Sequence, residues 1–309
     1  MRIILANSVA ELGAQITASK LKRGASALDA IEAGIRQIEA DPDIHCVGRG
    51  SWPNLLGQLE LDASLMDGRT LDAGAVGALQ GYLHPISVAR QVMERLPHAF
   101  LVSDGAARFA DEISAETAEN VTAVSRQAWK SWLQEHLSAE ERAAWPNAPL
   151  TRLTHLTADP IKTQGTTVFL AQDADDDIAC GVSTSGWSWK HPGRLGDSPV
   201  IGAGNYADNR FGAAGCIGHG ELTIRACTAR SIVLYLKAGM SVREAVYEAA
   251  EDLRALHKTF SGSLTLYAID ARGDHFVLGL GARPETHYWL WREDMSAMER
   301  REPEAGGAL

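Results

Sequence analysis

The chain has 309 residues, 45% hydrophobic and 22% charged, enough for one large or two small globular domains with a sizeable core. Its 39 acidic and 29 basic residues leave a net charge of −10 with no dense basic block, which argues against nucleic acid as a partner. No apolar run reaches the ~18 residues of a membrane span, and the apolar patch in MRIILANSVAE is too short for an export signal, so a cytoplasmic protein is expected.

Ile3-Ile4-Leu5 reads as a first strand, followed by a helix from about Glu11 to Lys22 that closes near Gly24. Ser26 caps a second helix, Ala27 to about Glu39, which Asp41-Pro42 ends. The glycine-rich CVGRGSWPNLLGQ then leads into LELDASLMDGRTLDAGAVGAL, whose Asp67-Gly68 turn predicts two paired strands. Ser87 opens a helix to about Leu96, and AFLVSD predicts a buried strand. Residues 125–145 predict one amphipathic, charge-laced helix. PNAPLTRLTHLTADPIKTQG has three prolines and no sustained period, and reads as a linker of roughly twenty residues.

TTVFLAQD and IACGVSTS predict two strands around the turn at residues 174–177. Helices are expected at about Glu221–Lys237 and Val242–Lys258, the second opened by the capping-box pattern of Ser241 and Glu244. SLTLYAID and HFVLGLG predict a hairpin, and the polar tail after Arg292 is expected to fray. Strands bracketing helices in both halves, with no internal repeat, point to an α+β fold, layered rather than barrel-like.

Cys46, Cys180, Cys216 and Cys227 lack metal-ligand spacing, and the ten histidines form no HExxH pattern, so no metal is read here and the thiols are expected to be reduced. Gln164-Gly165-Thr166-Thr167-Val168 joins the linker to a buried strand. Read alone, Gly-Thr here is a turn followed by a β-branched strand residue. If the chain is cut before Thr166, that residue carries both a hydroxyl and a free α-amine, which titrates near ~7.7–8.0 and can serve as its own base.

Further downstream stand STSGWSWKHPGRLGDSPVIGAGNYADN and CIGHGELTIR. Together with Gly165-Thr166 they closely resemble the Thr-type N-terminal-nucleophile hydrolases, the asparaginase, isoaspartyl peptidase and glycosylasparaginase family. GASALDAIEAG, VGRGSWPNLLGQLELDASLMDG, DAGAVGAL and ISVARQVME resemble the glycosylasparaginase α-subunit in particular, so that the likeness spans about residues 24–300. The resemblance implies a four-layer αββα sandwich, cut at Gly165-Thr166 into an α-chain (1–165) and a β-chain (166–309) of one domain. It implies Thr166 as nucleophile and Thr184 as the hydroxyl that orients it. Arg194 would hold a substrate α-carboxylate and Asp197 its α-ammonium. Gly218 would bind the aspartyl head and the oxyanion, with Gly220 beside it in the binding turn. Residues Asn54 to Asp62 fall in a supporting loop, and relatives hold a structural sodium ion in the loop near residues 45–62; no other cofactor is implied. The expected partner is a small aspartyl amide: glycosylated asparagine first, then asparagine or β-aspartyl peptides. The expected assembly is a dimer of αβ units.

Each residue also has a plainer reading. Arg194 and Asp197 could be a surface ion pair, Gly218 and Gly220 turn glycines, and His191 and His219 structural hydrogen-bonders. Trp187 and Trp189 read as packing or pocket wall rather than a glycan platform. Three departures from the family pattern stand out. Ile217 replaces a Thr whose hydroxyl is an oxyanion donor. Gly165 stands where glycosylasparaginases carry Asp. Val9 replaces a Trp near the substrate, with Trp52 as the residue that would refill the space. Ile217 keeps two alternatives open: hydrolysis of an unusual amide or lactam, or a protein that binds without maturing.

Overall fold

The computed structural model describes residues 1–157, 165–256 and 262–309. Strand β1 (Ile3–Asn7) is buried at every position, so it must be covered on both faces. A short 3₁₀ turn leads to α1 (Glu11–Lys22) and α2 (Ala27–Ala40). The Ser26 hydroxyl accepts the Asp29 N–H at 3.1 Å and so starts α2 where expected. Then follow β2 (Leu61–Asp67), β3 (Ala73–Leu79), α3 (Pro85–Arg95), β4 (Phe100–Val102), α4 (Ser103–Glu112), α5 (Ala123–His136), α6 (Ala139–Ala144) and α7 (Thr151–Thr157). The remainder comprises β5 (Thr167–Gln172), β6 (Ile178–Thr184), β7 (Asn205–Asp208), β8 (Gly212–Gly218), α8 (Gly220–Ala226), α9 (Thr228–Lys237) and α10 (Val242–Leu256). The last five strands are β9 (Leu264–Asp270), β10 (His275–Leu280), β11 (Tyr288–Arg292), β12 (Glu299–Arg301) and β13 (Glu304–Ala305).

The strands form an eight-stranded sheet in the order β12-β11-β1-β5-β6-β2-β3-β4 and a five-stranded sheet in the order β13-β10-β9-β8-β7. Alternation along β1 explains the packing. Ile4 and Ala6 join the apolar cluster that includes Ile31 and Ile35 of α2 and Val88 and Val92 of α3. Ile3 and Leu5 join a second cluster with Val168, Leu170, Tyr267 and Ile269, which lies between the two sheets. A third cluster packs Ile232, Val246 and Leu253 of α9 and α10 against Leu264, Leu266 and Leu278 of the smaller sheet. The apolar stripes of α8, α9 and α10 are therefore core. Among the described residues, no helix is long and apolar enough to cross a membrane.

Several expectations are corrected. AFLVSD is a three-residue edge strand, with Phe100 39% and Val102 48% exposed, because nothing pairs beyond β4. The single helix at 125–145 is two, because Ser138 and Glu141 form a reciprocal capping box that starts α6. The linker contains α7, which buries Leu153; residues 158–164 lie outside the described residues, as does Lys258. The helix at 221–237 breaks at Cys227, whose φ of 48° is left-handed. The tail is not frayed: β12 pairs with β11 and β13 with β10. Strands β7 and β8 escaped prediction because their small residues carry little apolar signal. Smallness is the requirement there, since a Cβ on Gly215 would sit 2.3 Å from Val168 Cγ2 across the sheets.

Helices α1 and α2 meet backbone to backbone. A Cβ on Gly34 would lie 2.2 Å from Thr17 Oγ1 and 2.6 Å from the Gly13 carbonyl oxygen. Alanine gains about 1 kcal/mol of helix propensity over glycine, but overpacking a tight contact costs about 1–3 kcal/mol. Gly34→Ala should therefore lower the melting temperature. A calorimetric scan showing the variant more stable than wild type would contradict the packing.

Candidate active site

Thr167 pairs with Ser183 across β5 and β6, which brings Thr166, just before β5, beside Thr184 at the end of β6. The Thr166 hydroxyl donates to Thr184 Oγ1 at 3.2 Å. Thr184 in turn donates to the Gly165 carbonyl at 2.7 Å and accepts the Gly186 N–H at 2.9 Å. Its single proton is thus committed to Gly165, and its lone pairs receive the Thr166 proton and an amide. Asn7, at the end of β1, holds the other side: Nδ2 donates to the Thr166 carbonyl at 2.7 Å. Its Oδ1 accepts the Val168 N–H at 3.0 Å. Asn7 was not singled out in the sequence; its position beside Thr166 was visible only once β1 and β5 were paired.

These groups face a narrow recess lined by Gly165, Thr166, Thr184, Trp187, Arg194 and Asp197, with Gly218 also on its wall. Arg194 does not pair with Asp197. Its Nε and one terminal nitrogen donate to Glu221 Oε1 at 3.0 and 2.7 Å, and its guanidinium lies 4.4 Å from the Trp187 ring centre. This fixes the plane of the fork. Asp197 is buried and accepts the Thr223 hydroxyl at 2.7 Å. Burial pushes its carboxyl up to about 6, against the Thr223 hydrogen bond and the Arg194 charge, which pull it down. Gly220 does not line the recess but lies against Asp197, where a Cβ would meet Oδ1 at 2.8 Å. Gly218 has φ 131°, and a Cβ there would strike the Ser263 carbonyl at 2.1 Å, so only glycine puts backbone at this wall.

Beneath the recess is a charge cluster that the sequence reading missed. Lys190 is 2% exposed, with Nζ 3.8 Å from Glu60 and 3.7 Å from Asp62. Asp62 is opposite Thr184 in the β2–β6 register, on the same face of the sheet. Burial raises the Asp62 carboxyl, while Lys190 and the Ala78 N–H pull it down. The alternation Glu60-Leu61-Asp62 was the available signal: two carboxylates on one strand face call for a cation.

The loop from Asn54 is closed by its own bonds. Its carbonyls at Asn54, Leu55, Gln58 and Glu60 accept from Gly57, Trp129, Asn54 and Lys190 respectively. Each of these four oxygens takes an internal hydrogen bond, and the loop keeps its shape through Lys190 and Trp129. Among the described residues, no group of three or more His, Cys, Asp or Glu side chains could hold a metal ion.

Trp187 is pocket wall, whereas Trp189 packs against Trp52 and Trp132. Trp52 stacks on His45 at 4.2 Å and does not line the recess. Val9 faces a different depression with Leu12 and Ile44. His219 is buried edge-on to Trp187, and His191 is exposed. Ile217 packs into the inter-sheet cluster and adds no donor. The four cysteines are free thiols.

The family model described as asparaginase matches residues 7–294. An isoaspartyl peptidase/L-asparaginase of Mus musculus is 36% identical over 254 residues, 82% of this chain and 72% of the relative. An N(4)-(beta-N-acetylglucosaminyl)-L-asparaginase of Elizabethkingia miricola is 37% identical over 231 residues, 75% of this chain and 63% of the relative. A plant-type L-asparaginase of Thermococcus kodakarensis is 34% identical over 288 residues, 93% of this chain and 88% of the relative.

Removing the cation from the buried cluster leaves two carboxylates unpaired. Lys190→Met should cost about 3–5 kcal/mol at pH 8. The loss should shrink toward pH 5, because a carboxyl raised in the fold binds its proton more tightly there than in the unfolded chain. Urea denaturation at both pH values measures it; a deficit that grows on acidification would contradict the assignment.

Proposed function

The chain belongs to the asparaginase family, and from that premise we propose that it hydrolyses the side-chain amide of an aspartyl unit, with Thr166 as nucleophile after cleavage of the Gly165–Thr166 bond. One observation carries this reading: Thr166, Thr184, Arg194, Asp197 and Gly218 line one recess although they come from separate parts of the chain. The three apolar clusters support the four-layer αββα sandwich of the N-terminal-nucleophile type.

Maturation starts from the arrangement in the continuous chain. Thr166 Oγ1 attacks the Gly165 carbonyl carbon, and charge develops on an oxygen already held by the Thr184 hydroxyl at 2.7 Å. The C–N bond breaks, the hydroxyl proton ends on the Thr166 nitrogen, and Gly165 is left as an ester on Oγ1. Water hydrolyses that ester, giving a Gly165 carboxylate and a free Thr166. Strand β5 lies between β1 and β6 in one sheet, so both pieces stay in one fold.

In turnover the free α-amine, titrating near ~7.7–8.0, takes the hydroxyl proton. Arg194 binds the substrate α-carboxylate and the Asp197 carboxylate its α-ammonium, which sets the amide carbon before Oγ1. The Gly218 N–H faces the oxyanion. The amine leaves with a proton from the Thr166 ammonium, and water releases aspartate from the acyl-enzyme. The holder reads only the aspartyl head, so asparagine, β-aspartyl peptides and glycosylated asparagine differ beyond the amide nitrogen. A second reading, an unusual amide or lactam, is favoured by Ile217, since a missing oxyanion donor typically costs about 10²–10³ in turnover.

On a denaturing gel the purified protein should give two fragments, 1–165 and 166–309, while Thr166→Ala stays whole. An intact wild-type chain that still releases aspartate would overturn the mechanism. Assays across the three substrates decide the leaving group, and Ile217→Thr should raise turnover of an ordinary aspartyl amide at least ~10-fold if the hydroxyl is what is missing. Activity on a lactam with none on the three would favour the second reading.

Asp197 must be ionised to hold an ammonium, and its carboxyl titrates at about 6. Aspartate binding to the mature enzyme should therefore weaken about tenfold for each pH unit below that value. Calorimetry from pH 5 to 7.5 measures the slope, and Asp197→Asn should abolish it.

A further inference from the structure

Gly165 is pressed against Cys46. A Cβ built on Gly165 would lie 1.6 Å from Cys46 Cβ, 2.4 Å from its Sγ and 3.0 Å from its Cα. Each Cβ is fixed by its own backbone, so no change of rotamer relieves the first contact; one segment has to move. The Cys46 segment is tied down. Its carbonyl accepts the Ser185 N–H at 3.0 Å, one residue beyond Thr184. Close by, the Arg49 N–H bonds the Glu39 carbonyl at 2.8 Å, and the Gly50 N–H bonds the Asn120 carbonyl at 2.8 Å. Gly48 leaves no slack either, since a Cβ there would be 2.1 Å from the Glu39 oxygen. On its other sides the scissile peptide is held by Thr184, on the Gly165 carbonyl, and by Asn7, on the Thr166 carbonyl.

We propose that Cys46 is a positioning residue for self-cleavage: its Cβ and sulfur form a wall that admits only glycine at 165 and keeps that glycine's carbonyl against Thr184 and Thr166. The inference rests on the maturation reading above and adds to it the residue that sets the cleavage-site preference. It also accounts for glycine where an aspartate would stand in glycosylasparaginases, because any side chain at 165 meets Cys46. The thiol contributes volume rather than reactivity, since burial pushes it up to about 12 and leaves it protonated at neutral pH.

The test follows cleavage of the full purified chain by mass spectrometry. Cys46→Ser, which keeps the wall, should cleave at close to the wild-type rate. Gly165→Ala should cleave at least ~10-fold more slowly, the scale of an overpacked contact. Adding Cys46→Ala should not help, because the offending Cβ remains. Adding Cys46→Gly should restore most of the rate, with Cys46→Gly alone completing the double-mutant cycle. Gly165→Ala at the wild-type rate, or no rescue by Cys46→Gly, would overturn the proposal. The same changes in the Thr166→Ala background give a readout that needs no cleavage. There Gly165→Ala should lower the melting temperature and Cys46→Gly should recover it; unchanged melting temperatures would overturn the contact itself. A wild-type chain that is never cut would instead bring down the maturation reading, while these melting temperatures still decide the contact.

Discussion

The position of Thr166 is set by a strand that cannot shift. β5 is hydrogen-bonded on both edges, to β1 and to β6, and every residue from Thr167 to Gln172 is buried. Slipping it by one residue would exchange the sides of Val168 and Phe169, which now pack in different clusters. The residue just before the strand inherits that certainty. A hydroxyl on a loop would have to be held by side chains alone, whereas here two backbone ladders end at the reacting atoms. Precision of this kind is what effective-molarity arguments require of a nucleophile.

The end of β6 carries the corresponding weight on the other side. Ser183 donates to the buried Glu39 at 2.7 Å, and Thr184 stands opposite Asp62. Burial raises the carboxyls of both Glu39 and Asp62. Buried charges rarely add net stability over an apolar core, so their presence here is better explained by what they orient. Lys190 spans Glu60 and Asp62, and the chain runs from it through Gly193, whose N–H donates to Glu60 at 2.9 Å, to Arg194. The guanidinium that faces the recess is therefore anchored from below by the lysine cluster and from the side by Glu221 and Trp187.

Much of this was legible in the chain, and what was missed has physical causes. Helices α2 and α10 announce themselves through caps and apolar period, and α1 and α3, which have no side-chain cap, through their apolar positions alone. The hairpin of β9 and β10 does so through apolar runs around a turn. The candidate residues Thr166, Thr184, Arg194, Asp197 and Gly218 were named from the family resemblance, and the fold brings them to one recess. Strand β8, GAAGCIG, was not legible, because a residue chosen to let two sheets approach has no apolar signature of its own, whereas the equally small β3 was found through the Asp67-Gly68 turn before it. The break at Cys227 was hidden because a left-handed turn needs one backbone angle, not a marked residue. Partners distant in sequence were invisible for another reason: Asn7 with Thr166, Lys190 with Asp62, and Cys46 with Gly165 become neighbours only when strands are ordered.

On the proposed mechanism the same Thr184 hydroxyl would have two tasks that cannot coincide. In the continuous chain its proton is given to the Gly165 carbonyl, and the Thr166 hydroxyl donates to its lone pair. If Gly165 is cut to a free carboxylate and leaves, that proton would be released while the Thr166 contact could stay. In the continuous chain Gly165 forms part of the recess wall. On the proposed reading, cutting the chain would do more than create an amine. It would open space for an aspartyl head and leave beside Thr166 a hydroxyl no longer committed elsewhere. Glycine at 165 suits both stages: without a side chain it fits under Cys46 before cleavage, and it presents little to hold it there afterwards.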